Sequence, residues 1–176
     1  MIKDLVVNLS LQDSRDVAME FAVSAAAVFK AHAAGVAFVY DPIVPAMADM
    51  YGMPAQVVES QRAENEKAAK AAVDRFNEAA RRAALSAEAR TLDAPVATAP
   101  GIFAQIARRF DLSIVGQPEP DKPELDRLVV EAALFETGRP LLVVPYIQRA
   151  GLELDHVMLC WDGSRSAARA AADAMP

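Results

Sequence analysis

Residues 138–146 read GRPLLVVPY, a glycine followed by a run that is wholly apolar from Pro140 to Pro145. Pro140 to Pro145 is long enough for a strand and too short for a helix. With no polar side chain to give to water on either face, such a strand belongs inside a parallel sheet covered by helices. Gly138 is placed to end a helix near 124–137, so the order at this point is helix, then strand.

Working back toward the N-terminus, the same order recurs. A helix near 99–109, with Ile102, Phe103 and Ile106 inward, leads into a fourth strand at Leu112–Val115. The Pro-rich stretch 117–123 separates that strand from the helix near 124. Ala87–Leu92 reads as a third strand at a sheet edge, because Glu88 and Arg90 interrupt it. Before it, 56–85 is polar and alanine-rich, with a stripe of Ala69, Val73, Phe76 and Ala80 for the sheet. Glu64, Glu66, Lys67, Lys70 and Arg75 are expected in water. A helix of that length spans ~45 Å, so its first turns should break or project beyond the sheet.

Val36–Tyr40 reads as the second strand, followed by a Pro- and Met-rich loop over 41–55. Gly35 is placed to end a helix over roughly 14–33, capped by Asp13 or Ser14, whose apolar face includes Val17, Phe21, Ala25 and Val28. Leu5–Leu9 is the first strand. Alternating strands and helices with continuously apolar strands imply an α/β fold, a doubly wound five-stranded parallel sheet with helices on both faces. It fills residues 1–147, with 148–154 as a linker.

The net charge of -6 argues against nucleic acid or an anionic membrane as a partner, because neither favours a surface of its own sign. No segment approaches ~20 apolar residues, and the N-terminal apolar run is too short for a signal peptide. A cytoplasmic protein is expected. Cys160 is the one cysteine and lies in an apolar run, where a buried, inert thiol is expected. His32 and His156 show no ligand-like spacing with Cys or Asp, so no metal site is expected.

After the linker the opening pattern returns. Leu5, Val6 and Val7 fall on Met158, Leu159 and Cys160, and Ala18 falls on Ala171, which points to a tandem duplication. Residues 157–176, VMLCWDGSRSAARAAADAMP, resemble the opening strand, Asp-Gly-Ser turn and helix of the universal stress protein family. RRFDLSIVGQPE at 108–119 resembles that family's fourth strand with its glycine, and GRPLLVVPY resembles its fifth. The resemblance implies an adenine-nucleotide α-hydrolase-like sheet of strand order 3-2-1-4-5. It also implies frequent dimerisation through the last strand and frequent duplication within a chain. On this reading 155–176 is the first strand and helix of a truncated second repeat. That segment is expected to be disordered, exchanged with a neighbouring chain or docked on a sheet edge.

Many members of that family bind ATP. The resemblance implies an aspartate after the first strand for the nucleoside, and after the fourth strand a Gly-x2-Gly-x9-Gly-Ser/Thr loop whose amides cradle phosphate. In the first repeat Leu9 is aligned with the aspartate and Ser10 with the glycine that follows it. Gly116 is present, Glu119 replaces the second glycine, and Val129 and Val130 replace the final Gly-Ser/Thr pair. Pro118, Pro120 and Pro123 have no N–H to donate, and Glu119, Asp121, Glu124 and Asp126 outnumber Lys122. Arg127 offsets only a little of that charge. The first repeat is therefore expected not to bind ATP in the usual way and to hold no cofactor. In the second repeat Asp162, Gly163 and Ser164 match the nucleotide-contacting opening, though the same residues also suit a helix cap and turn. ATP binding is expected only of an intact second repeat.

No nucleophile elbow, phosphate loop or general base is visible, so a non-enzymatic stress-response protein acting through a homodimer, repeat pairing or another protein partner is expected. Two alternatives remain. One is a small-molecule sensor using Met47, Met50, Tyr51 and Met53 at the sheet edge, although such a loop also suits a flap packed on its own domain. The other is an ATP-using enzyme.

Overall fold

A computed structural model describes residues 1–11, 15–42, 55–119 and 124–175. The strands are β1 (Asp4–Asn8), β2 (His32–Tyr40), β3 (Ala87–Ala94), β4 (Leu112–Gly116) and β5 (Leu141–Val144). They form one five-stranded sheet in the order β3-β2-β1-β4-β5, and all four pairings are parallel. β1 is central: Leu5 pairs with Ala33 on one side and Leu112 on the other. This is the sheet expected from the sequence.

The described helices are α1 (Val17–Phe29), α2 (Ala55–Arg82), α3 (Ala99–Ala107), α4 (Glu124–Glu136) and α5 (Arg165–Ala174). α1 and α2 cover one sheet face, where Leu5, Val7 and Leu9 meet Ala22, Ala26, Ala72 and Phe76. α3 and α4 cover the other, where Val6, Val36 and Phe38 meet Phe103, Ala107 and Val129. The residues of β1 thus alternate between the two layers, as the pleat requires.

Gly35 does not end a helix. α1 stops at Phe29, Lys30 takes the left-handed conformation at φ 53°, and β2 already begins at His32. Alanine suits a helix intrinsically, but Ala33 and Ala34 find partners on both neighbouring strands, and that pairing decides. The buried face of α1 is also rotated from the expected stripe. It consists of Ala18, Met19, Ala22, Ala25 and Ala26, while Val28 is exposed. Small side chains let this helix approach the sheet closely. Asp13 and Ser14 lie outside the described residues, and the observed N-cap is Asp16.

α2 does not break. Its buried residues are Ala69, Ala72, Phe76 and Ala80, so the turns before Ala69 extend past the covered face. Arg75, expected in water, is half-buried and donates from Nη2 to the Ser10 carbonyl at 3.1 Å. β3 is an edge strand that exposes Glu88, Arg90 and Asp93.

Beyond β5 the chain runs along α1. Arg15 donates to the carbonyls of Gln148 (3.2 Å) and Arg149 (3.4 Å), and the Leu152 N–H donates to Ser24 Oγ at 2.9 Å. Residues 156–161 then follow with no place in the sheet, and α5 buries none of its residues. Cys160, expected to be buried, is exposed, because its strand has no neighbours here. Among the described residues, no helix is long and apolar enough to cross a membrane.

Gly35 is where α2 comes nearest to the sheet. A Cβ there would lie 3.0 Å from Leu9 Cδ1, 3.1 Å from Ala89 Cβ and 3.2 Å from Phe76 Cδ1. Gly35→Val should therefore overpack this layer and lower stability by about 1–3 kcal/mol. The urea midpoint should fall with an unchanged slope; an unaltered midpoint would show that the layer has slack.

Candidate functional site

In an open parallel sheet the strands' C-terminal ends diverge at the point where chain order reverses, leaving a crevice. Here that point lies between β1 and β4. The crevice is lined by Asn8 and Ser10 from β1 and its exit, Asp16 and Ala18 from the start of α1, and Gly116 and Gln117 from β4. Asp126 and Val129 of α4, Glu119, and Tyr146 beyond β5 complete it.

Leu9, the residue aligned with the nucleoside-contacting aspartate, does not face this crevice. It is buried in the layer under α1 and α2, on the same side of the strand as Leu5 and Val7. Its neighbours Asn8 and Ser10 face the crevice instead, as the two-residue alternation of a strand demands. That alternation was the signal that could have placed them.

Asp16 dominates the local chemistry, and sequence reasoning missed it. Its carboxylate is only 6% exposed. One oxygen accepts from the Met19 N–H at 2.9 Å, capping α1, and the other accepts from the Ser10 N–H at 2.7 Å. Burial pushes its pKa up. The two N–H donors and the Arg75 charge oppose that shift, and Glu20 adds to it. The neighbouring cation, Arg15, is paired with Glu20 and bonded to the carbonyls of residues 148 and 149. Across the sheet the Tyr40 phenol is pushed up to about 12, first by burial and then by the negative charge of Asp126. Asn8 Oδ1 is fully buried and accepts no hydrogen bond.

The cavity holds about 90 Å³, room for roughly three waters and well short of the ~300 Å³ at which ligand pockets begin. A Cβ on Gly116 would meet only Ala18 Cβ, at 3.8 Å, so nothing in its surroundings demands a glycine. Pro118 and Glu119 follow it, while Pro120, Asp121, Lys122 and Pro123 lie outside the described residues, as does the 43–54 loop with its methionines. Among the described residues, no cluster of His, Cys, Asp or Glu could hold a metal ion.

Asp162, Gly163 and Ser164 are not part of the crevice. Asp162 Oδ1 accepts from the Ser164 N–H at 2.8 Å, Gly163 turns at φ 77°, and Ser164 Oγ caps α5 through the Ala167 N–H at 3.1 Å. A hydrogen bond from the Ser164 hydroxyl, followed by that from its N–H, holds the Asp162 carboxyl below its usual range.

No family model matches the sequence. No curated protein matches it either. Solved structures do. A protein of the universal stress protein family from Burkholderia pseudomallei superposes with a TM-score of 0.57 at 18% identity, over 82% of this chain and 96% of that one. A universal stress protein in complex with cAMP gives 0.51 at 20% identity, over 82% and 97%. The universal stress protein from Archaeoglobus fulgidus in complex with dAMP gives 0.51 at 13%, over 82% and 99%. The fold is that of the universal stress proteins. Its strand order, 3-2-1-4-5, is the one the resemblance implied.

Because the Asp16 pKa is raised, its carboxyl binds a proton more readily folded than unfolded. At this site stability is therefore gained as pH falls through the folded value toward the ordinary 3.8. Asp16→Asn keeps a capping oxygen and removes the charge. Paired urea melts at descending pH should show the wild type gaining on Asp16→Asn; a constant difference would refute the shift. Asp16→Ala removes the cap and should cost about 1–2 kcal/mol at neutral pH.

Proposed function

We propose that this chain is a universal stress-type protein that works by association rather than by catalysis, and that its 1–147 unit does not bind ATP in the usual way. What carries the reading is Asp16. At the switch point, where a ligand of this fold would sit, a buried carboxylate already serves the protein's own backbone, with both oxygens taken by Ser10 and Met19. A triphosphate would have to enter a cavity of about 90 Å³ beside that charge. Electrostatics and volume both oppose it.

The cAMP and dAMP complexes of similarly folded proteins support a reading in which this architecture recognises a nucleotide. In this chain we assign it to an intact second repeat opening at 155–176, where Asp162, Gly163 and Ser164 match the family's pattern. Gly116 alone is too little of a phosphate loop for the first unit.

Association is assigned to the β5 edge, with a second copy of the chain as the partner. β3 guards its own edge with Glu88, Arg90 and Asp93, whereas β5 presents only Leu141, Leu142, Val143 and Val144, with Val143 42% exposed. An uncharged, apolar edge strand is a template for pairing.

Adding ATP to the 176-residue chain should leave its melting temperature unchanged. A ligand at a hundred times its Kd would add about 2.7 kcal/mol, or roughly 5–10 °C for a chain of this size. A rise of that order, abolished by Asp16→Ala, would overturn the reading of the first crevice.

A further inference from the structure

The stretch 148–152 was expected to be part of a linker, yet it is fastened along α1. A turn closes first, with the Gln148 N–H on the Pro145 carbonyl at 2.9 Å. Arg15 then donates from Nη1 to the Gln148 carbonyl and from Nη2 to the Arg149 carbonyl. Farther along the helix, the Leu152 N–H ends on Ser24 Oγ. Gly151 passes so close to α1 that a Cβ there would lie 2.2 Å from Ser24 Oγ and 2.9 Å from Ser24 Cβ. Only a glycine lets the backbone approach to that distance.

The fastenings are few. Beneath this strap lies a space of about 250 Å³, bounded among others by Phe21, Leu142, Val144 and Leu152. Of residues 148–152, only Leu152 packs against the core under α1. A segment held by a handful of hydrogen bonds and one apolar side chain opens at a fraction of the cost of unfolding the domain.

The Arg15 fastening is also part of the wall of the switch-point crevice. Arg15 and Tyr146 both line it, and Tyr146 lies within the turn whose last carbonyl, that of Gln148, Arg15 holds. Lifting 148–152 off α1 takes two acceptors from Arg15 and frees the turn that carries Tyr146. We infer that residues 148–152 are a latch: closed on α1 it keeps the crevice small, and open it widens the crevice from the side of Arg15 and Tyr146. The latch leads directly into 155–176, so any event that draws that segment away from α1 is transmitted to the crevice. The coupling runs both ways, and whatever parts Arg15 from Tyr146 loosens the strap. The inference rests on the narrow first crevice of the proposal above. Its test uses no nucleotide, so its failure is distinct from a failure of that proposal.

The two ends of the coupling can be read separately. Trypsin cuts after Arg149 only when the strap is free of α1. Ala18 lines the crevice at 4% exposure, so in Ala18→Cys/Cys160→Ser a thiol reagent such as DTNB reports the opening of the crevice. Gly151→Val drives a side chain into Ser24 and alters no residue that lines the crevice. It should speed both cleavage after Arg149 and labelling at residue 18 at least tenfold, with an unchanged far-UV spectrum. Ser24→Ala removes one hydrogen bond and should speed both about fivefold. Labelling of Ala104→Cys/Cys160→Ser, buried under the opposite sheet face, should keep its rate in both. Faster cleavage with unchanged labelling at residue 18 would mean that the strap moves without the crevice. Equal acceleration at residue 104 would mean that the domain opens as a whole, and unchanged cleavage in both variants that there is no latch. Each of these results would overturn the inference.

Discussion

The Asp16 carboxylate joins two elements that the rest of the sheet is built around. Ser10 is the exit of the central strand and Met19 lies in the first turn of the first crossover helix, and both backbone N–H groups end on its two oxygens. Removing a carboxylate from water is costly, and here two N–H donors and the Arg75 charge offset part of that cost, leaving a raised pKa as the residue. Arg75 itself reaches the Ser10 carbonyl from α2. One short stretch of chain is thus held by β1, α1 and α2 together.

That junction lines the switch point with groups already committed to the fold. In a doubly wound sheet the crevice exists because crossovers leave in opposite directions, so topology provides it whatever the sequence. What occupies it is a local matter. Here the chain's own carboxylate and the Asn8 and Ser10 side chains take the floor, and the nearby Arg15 is engaged by Glu20 and by two carbonyls of the chain beyond β5. The likeness to nucleotide-bound structures therefore speaks for the architecture, while the side chains decide what can enter.

Much of the fold was legible because its punctuation is local. β5 is a continuous apolar run between two prolines, and α4 ends before Gly138, which sits at φ 66°. The α1–β2 boundary was not legible. Ala31, Ala33, Ala34 and Gly35 carry no periodicity, and only the pairing of Ala33 with Leu5 and Ala87 makes them a strand. Nor could composition separate Asp13, Ser14 and Asp16 as caps, since all three residue types suit the position. What singles out Asp16 is its burial, a property of the assembled layers. Leu9 was recoverable: its place after Leu5 and Val7 on one face follows from strand periodicity alone.

The two opening turns of the chain show how spacing divides similar residues between structure and chemistry. After β1 the backbone takes residues 9–16 to reach its helix, and the capping aspartate is the last of them, folded back under the strand's exit. After Trp161 only Asp162 and Gly163 come before Ser164, which does the capping. Asp162 accepts from the Ser164 hydroxyl and N–H, whereas Asp16 has one oxygen on the Ser10 N–H and the other on the Met19 N–H. Of the two, Asp16 is buried and Asp162 is exposed, so Asp162 is the one open to the surroundings.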